Sequence, residues 1–401
     1  MADKDKTIKL GKCIKVLVYI PFYGVDSGAD GVSSYIVNLY QNLDRNHIHF
    51  DIISFYEGKA FYDETILELG AKVIKHPLEN LKGITKKKAI AKYIVEELKN
   101  GQYDVFYLQA SVQYDHLYMH YVHKNTDVPI RIIHSHNSSF TKQKGLIIRK
   151  MLGSFSKRFE MDSNHYFACS SYAAKFMFTS RLIKSGKVQI INNGVNVEKF
   201  KYDEELSFRM KKGLGLIDKI VIGHVGRFTY QKNHEFLIDI LKACISINSH
   251  VILLLIGEGE LEESIKMKVK LLGLEKNVLF YGNANNVNEL LQVMDVFVMP
   301  SFYEGLPVVG IEAQASGLPI IVSDRITNEL GITDNIMYLS LDTSALTWAS
   351  EVLRMASLER GDTCVGITEN GFNIISVANE FEKILESHSR LDLGTEVCNG
   401  L

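Results

Sequence analysis

The sequence predicts an α/β fold made of two domains, each built around a parallel sheet. Short apolar runs alternate with amphipathic stretches along nearly the whole chain, which is the rhythm of βαβ units. Those runs are continuously apolar rather than alternating, as strands covered on both faces should be. Charge also divides the chain. Residues 1–200 carry 28 Lys and Arg against 19 Asp and Glu, while the remainder carries 17 against 28, so the two halves face different surroundings.

In chain order, the strand-like runs of the first half are KVLVYI, FDIISF, KVIKH, DVFYLQ, IRIIHSH and HYFACS. Helical patterns fall between them at Ser33–Leu43 and Lys86–Lys99. The second half offers IVIGHVG, HVILLLIG, NVLFYG, DVFVMPS and PIIVSD, with helical patterns at His234–Ile245 and Leu261–Leu272. The rhythm pauses in a charged stretch ending in two glycines. The expected division is therefore a first domain over 1–196, a linker over 197–219 and a second domain over 220–375. A last helix at 376–390 is expected to pack back on the first domain, and the tail beyond it has no pattern.

Composition narrows the class. At 46% hydrophobic and 23% charged, the chain reads as a soluble globular protein. No window approaches the roughly 18 apolar residues of a membrane span, and the N-terminus lacks the pattern of a signal peptide. Five scattered cysteines show no metal-ligand spacing and fit a reducing compartment better than a disulfide framework. The expected location is cytoplasmic, with peripheral attachment at the inner face of the cell membrane. The attachment would come from 141–160, TKQKGLIIRKMLGSFSKRFE, which has six basic residues and one acidic. Its Leu146, Ile147, Met151, Leu152 and Phe155 share an apolar face, the make-up of a helix lying on an anionic surface. The alternative is a solvated helix packed on its own domain. No nucleic-acid-binding motif accompanies the charge.

One stretch, SFYEGLPVVGIEAQASGLPIIVSD from Ser301, places two glutamates among apolar and small residues. On a single helix Glu304 and Glu312 would not share a face. Gly305 and Pro307 suggest instead that Glu304 lies in a loop and Glu312 in the second turn of a helix starting near Pro307. The free N–H groups of Val308 and Val309 would then point between the two carboxylates. A helix N-terminus attracts phosphate, and carboxylates grip hydroxyls, so the arrangement suits a nucleotide sugar. Local capping is the ordinary reading of such a pair.

The same stretch fills every fixed place of PS-x-x-EG-x-P-x-x-x-x-EA-x-A-x-G-x-P-x-x-x-SD, and so resembles the retaining glycosyltransferases of family 4. GHVGRFTYQKNHEFLI, LLLIGEGEL, VLFYGNANNVNELL, ACSSYAAKFMF and IINNGVNVEKF follow in the family's order. DGVSSYIVNLYQNLDRNHIHFDI, GAKVIKHP and RIIHSHN resemble a bacterial subgroup that builds capsular polysaccharide and exopolysaccharide. The resemblance implies the GT-B fold, two Rossmann-like parallel-sheet domains facing a central cleft. It implies a retaining, metal-independent transfer of a sugar from a nucleotide sugar, expected to be UDP-linked, to a glycan or polyprenyl-diphosphate-linked acceptor. No cofactor is needed, since the nucleotide sugar is a substrate.

The resemblance assigns Arg227 and Lys232 to the donor diphosphate, whose charge a guanidinium and an ammonium suit. It assigns Glu304 to the donor sugar and Glu312 to the ribose, with Gly305, Leu306, Pro307, Val308 and Val309 forming the helix start between them. His136 is matched to a histidine near the donor sugar, with His134 as the second choice of register. Gly31, after Gly28 and Asp30, and the strand-end Gly282 complete the donor-binding set. Asp30 stands where the family usually has glycine. A pyridoxal-dependent phosphorylase would share the fold, and a glycosidase would share the paired carboxylates. Transfer to a soluble, protein or glycolipid acceptor and a non-catalytic nucleotide-binding scaffold remain as alternatives.

Overall fold

In the computed structural model, residues 8–9, 13–24, 31–137, 146–387 and 389–390 are described. The chain divides into two compact units. One comprises residues 1–194 together with 374–401, and the other comprises 195–373.

The first unit contains β1 (Ile8–Lys9), β2 (Ile14–Tyr19), β3 (Ile48–Ser54), β4 (Val73–Lys75), β5 (Val105–Ala110), β6 (Ile130–Ser135), β7 (His165–Ala168) and β8 (Val188–Ile190). All but β1 form one parallel sheet in the order β4-β3-β2-β5-β6-β7-β8. Every residue of β5 is buried, because helices cover both faces of a parallel sheet. The helix Ile374–Glu386 lies against the helix Gly31–Asn42. Its fully buried Phe381 meets the rings of Phe50, Tyr107 and Phe167, so residues distant in sequence complete one core.

The second unit holds β9 (Ile220–Val225), β10 (Val251–Ile256), β11 (Val278–Gly282), β12 (Val296–Met299), β13 (Ile320–Ser323) and β14 (Ile336–Leu339). They form a parallel sheet ordered β11-β10-β9-β12-β13-β14. This is the doubly wound order, in which the chain runs outward from β9, returns to its other side at β12 and leaves a crevice where the direction reverses. The remaining strand, β15 (Ser389–Arg390), pairs with β1 in parallel.

One expectation needs correction. Residues 197–219 are not a bare linker. They form the helices Val197–Phe200 and Glu204–Gly213 within the second unit, started by the caps Asn196 and Asp203. Val197, Phe200 and Leu216 are buried beneath the charged surface, a stripe too narrow to offset the many charges in a reading of composition. Cys169, Cys244 and Cys364 are free.

Candidate active site

In the second unit the reversal of strand order brings the loops after β9 and β12 side by side. Asn233 Nδ2 donates to the Pro300 carbonyl at 3.0 Å, and Phe302 N donates to the Gln231 carbonyl at 2.9 Å. These bonds fasten one loop to the other. Between them, Lys232 Nζ lies 2.7 Å from Glu304 Oε1, with side chains only 16% and 8% exposed. Oε1 has no partner of hydrogen-bond geometry, so this contact is ionic. Gln231 Nε2 donates to the other carboxylate oxygen at 3.0 Å. The sequence reading missed Gln231, although its place beside Lys232 in TYQKNH was the available signal.

Glycines crowd the same strand ends. Gly257 has φ +127°, and a side chain there would run into the Gly226 carbonyl. At Gly226 an added Cβ would stand 3.0 Å from Lys232 Cε and 3.2 Å from His224 Nε2, so the lysine stem passes directly over this residue. Gly282 ends β11 and its carbonyl accepts from Gly257 N at 2.8 Å. Arg227 follows Gly226 on the exposed side of the turn.

The loop after β12 carries Glu304, Gly305 and Leu306 to the helix Val308–Ala315. Pro307 is its N-cap rather than a first-turn residue, and no side chain caps it, which leaves the backbone donors of Val308 and Val309 at a helix N-terminus. Glu312 projects from the second turn. It is partly buried, and desolvation pushes its carboxyl up to about 7, opposed by the Lys199 charge. Glu304 and Glu312 are thus supplied separately by loop and helix.

In the first unit, parallel register sets Gln109 of β5 opposite His134 of β6. Tyr107 and Gln109 are two residues apart, as are His134 and His136, and side chains two apart on a strand share a face. His134 Nδ1 meets the Tyr107 hydroxyl at 2.8 Å, and His136 Nε2 meets Gln109 Oε1 at 2.7 Å. His136 Nδ1, His134 Nε2, Gln109 Nε2 and Asn193 Oδ1 are all buried here, and Asn193 interacts with the His136 ring. Burial pushes His136 down to about 3 and His134 well below the usual histidine range. Both rings are therefore neutral at physiological pH. Gly31 begins the helix Gly31–Asn42 and is exposed. Gly28 and Asp30 lie outside the described residues.

Among the described residues no group of three His, Cys, Asp or Glu is placed to hold a metal ion, and no helix is long and apolar enough to cross a membrane.

Family models match twice. The model described as Glycosyltransferase Family 4 matches residues 29–199, and that of Glycosyl transferases group 1 matches 208–336. The putative glycosyltransferase EpsF of Bacillus subtilis (strain 168) is 32% identical over 336 residues, covering 82% of this chain and 85% of its own. The Escherichia coli UDP-Gal:alpha-D-GlcNAc-diphosphoundecaprenol alpha-1,3-galactosyltransferase is 31% identical over 211 residues, 49% of this chain and 54% of that one. Among solved structures, Anabaena Alr3699/HepE in complex with UDP and glucose superposes with a TM-score of 0.70 at 14% identity, over 93% of this chain and 100% of that one. Both sheets, the two model matches and the extended identity to EpsF converge, and the chain belongs to glycosyltransferase family 4, with the GT-B fold.

Proposed function

We propose that the protein is a retaining, metal-independent glycosyltransferase that moves a sugar from a UDP-linked donor to a lipid-linked glycan in capsular polysaccharide or exopolysaccharide synthesis. The observation that carries this reading is the Lys232–Glu304 pair at the reversal of the second sheet, where open α/β sheets take their ligands. UDP is named in the descriptions of the HepE complex and the E. coli relative, and the latter's acceptor is diphosphoundecaprenol-linked.

In this reading Lys232, Arg227 and the N–H groups at Val308 and Val309 stabilise charge on the departing diphosphate. Glu312 accepts from the ribose hydroxyls, and Glu304 from hydroxyls of the donor sugar. His136 is assigned to the donor sugar by the family resemblance alone. The bond from the anomeric carbon to the diphosphate oxygen breaks as the acceptor hydroxyl bonds to that carbon. The hydroxyl proton passes to the departing diphosphate.

A panel of nucleotide sugars, assayed for donor hydrolysis and for transfer to polyprenyl-diphosphate glycans, tests the proposal. Hydrolysis or transfer with one UDP-sugar is expected, and Lys232→Ala should lower turnover by at least about 100-fold. Binding to no nucleotide would defeat the enzyme reading. Binding without turnover on any acceptor would favour a nucleotide-binding scaffold.

A further inference from the structure

Glu304 is anchored and Lys232 is the movable partner. Gln231 holds one carboxylate oxygen, and the two loop-to-loop bonds from Asn233 and Phe302 fasten the backbone that leads into Glu304. Lys232 instead reaches the other oxygen along a flexible stem. An anion arriving at these strand ends meets an ammonium that already has a counter-ion.

We propose that Glu304 is the built-in competitor for the Lys232 charge, so that a nucleoside diphosphate binds by exchange, drawing the ammonium off the carboxylate. The inference rests on the reading above, in which Lys232 meets the donor diphosphate. Exchange makes the site discriminate between donor and product. A nucleotide sugar offers hydroxyl donors to the carboxylate that the lysine leaves. UDP alone offers none there, and it leaves a nearly buried carboxylate unpaired beside a second negative group. Such unpaired charge is costly. The ion pair therefore weakens the hold on the spent nucleotide and favours its release.

Calorimetric titration of UDP and uridine into the full-length protein tests this, using Glu304→Gln, Lys232→Met and the double variant. Glu304→Gln preserves the shape of the side chain and removes its charge. It should tighten UDP by about tenfold or more and leave uridine unchanged. In the Lys232→Met background the same substitution should tighten UDP by a clearly smaller factor, since only repulsion between carboxylate and phosphate is then relieved and the coupling between the two residues is gone. Glu304→Asp draws the charge back by one methylene and should tighten UDP in the same direction by a smaller factor, which keeps the test available if Glu304→Gln does not fold. Equal or weaker UDP binding by Glu304→Gln overturns the inference, as does equal tightening with and without Lys232. If the wild-type protein binds neither UDP nor any nucleotide sugar, the functional reading falls and takes this inference with it. Wild-type binding without tightening in the variants removes the inference alone.

Discussion

Burial holds the Glu312 carboxyl at about 7, above its ordinary value of 4.5, so the folded chain keeps its proton more tightly than the unfolded chain does. The stabilisation is complete below the ordinary value and is lost as pH rises through about 7, by up to about 3 kcal/mol. Glu312→Gln should remove that loss, so that urea midpoints at pH 5 and pH 8 lie closer together than in the wild type. Ribose hydroxyls need the ionised carboxylate as acceptor, so UDP affinity should rise between pH 6 and pH 8 in the wild type and lie flatter in the variant. An unchanged affinity profile would take Glu312 out of the ribose site. A second test lies at Gly259, where an added Cβ would stand 2.7 Å from both Phe228 N and Phe228 O. Gly259→Ala should cost about 1–3 kcal/mol, read from denaturant melts.

At the scale of elements, Arg360 ties down helix ends. Its guanidinium donates to the carbonyls of Leu291 at 2.8 Å, Gln292 at 3.3 Å and Met294, and to Ser316 at 3.3 Å. The plane also lies over the Tyr202 ring. These carbonyls lie at the C-terminal ends of the helices Val287–Gln292 and Val308–Ala315 or just beyond them, where a cation is favoured. Arg360→Ala should destabilise the protein by about 3 kcal/mol, since several buried acceptors lose their donor together. Because Val308–Ala315 carries Glu312, UDP affinity should fall as well. In the first unit the helix Leu146–Ser156 exposes Met151, Leu152 and Phe155, at 68%, 46% and 50%. If this face meets lipid, Leu152→Gln with Phe155→Gln should reduce pelleting with anionic liposomes, and high salt should do the same for the wild type.

The elements differ in how plainly the sequence announces them. The helices Gly83–Asn100 and His234–Ile247 begin and end within a few residues of their periodic patterns, because one apolar stripe decides them. Strands β8 and β14 were missed. They are short edge strands with no residue fully buried, and a run of three or four residues does not stand out from its surroundings. Within the site, Glu304 and Glu312 stood out as charges among apolar and small residues, and Lys232 through the family resemblance. Gln109 and Gln231 did not. A neutral amide shows its role only when folding places a partner across a strand or loop.

At the scale of the whole molecule, the described residues give each unit hydrophobic clusters of its own. Heating should therefore give two transitions rather than one. Trp348, the sole tryptophan, is fully buried in the second unit and donates to the Ser340 carbonyl at 3.0 Å, so its fluorescence follows that unit alone. UDP should raise the midpoint of the fluorescence transition and leave the other transition, seen only by circular dichroism, in place. Coincident curves moving together would show that the units unfold as one.

The return of the chain to the first unit at Ile374 has a consequence for biosynthesis. Phe381 is made some 210 residues after the last sheet strand it contacts, Phe167 on β7, so a nascent polypeptide emerging from the ribosome must wait through translation of the entire inserted unit before its earlier half can close. In that interval Phe50, Tyr107 and Phe167 lack their cover, a window in which a holdase chaperone would find its client.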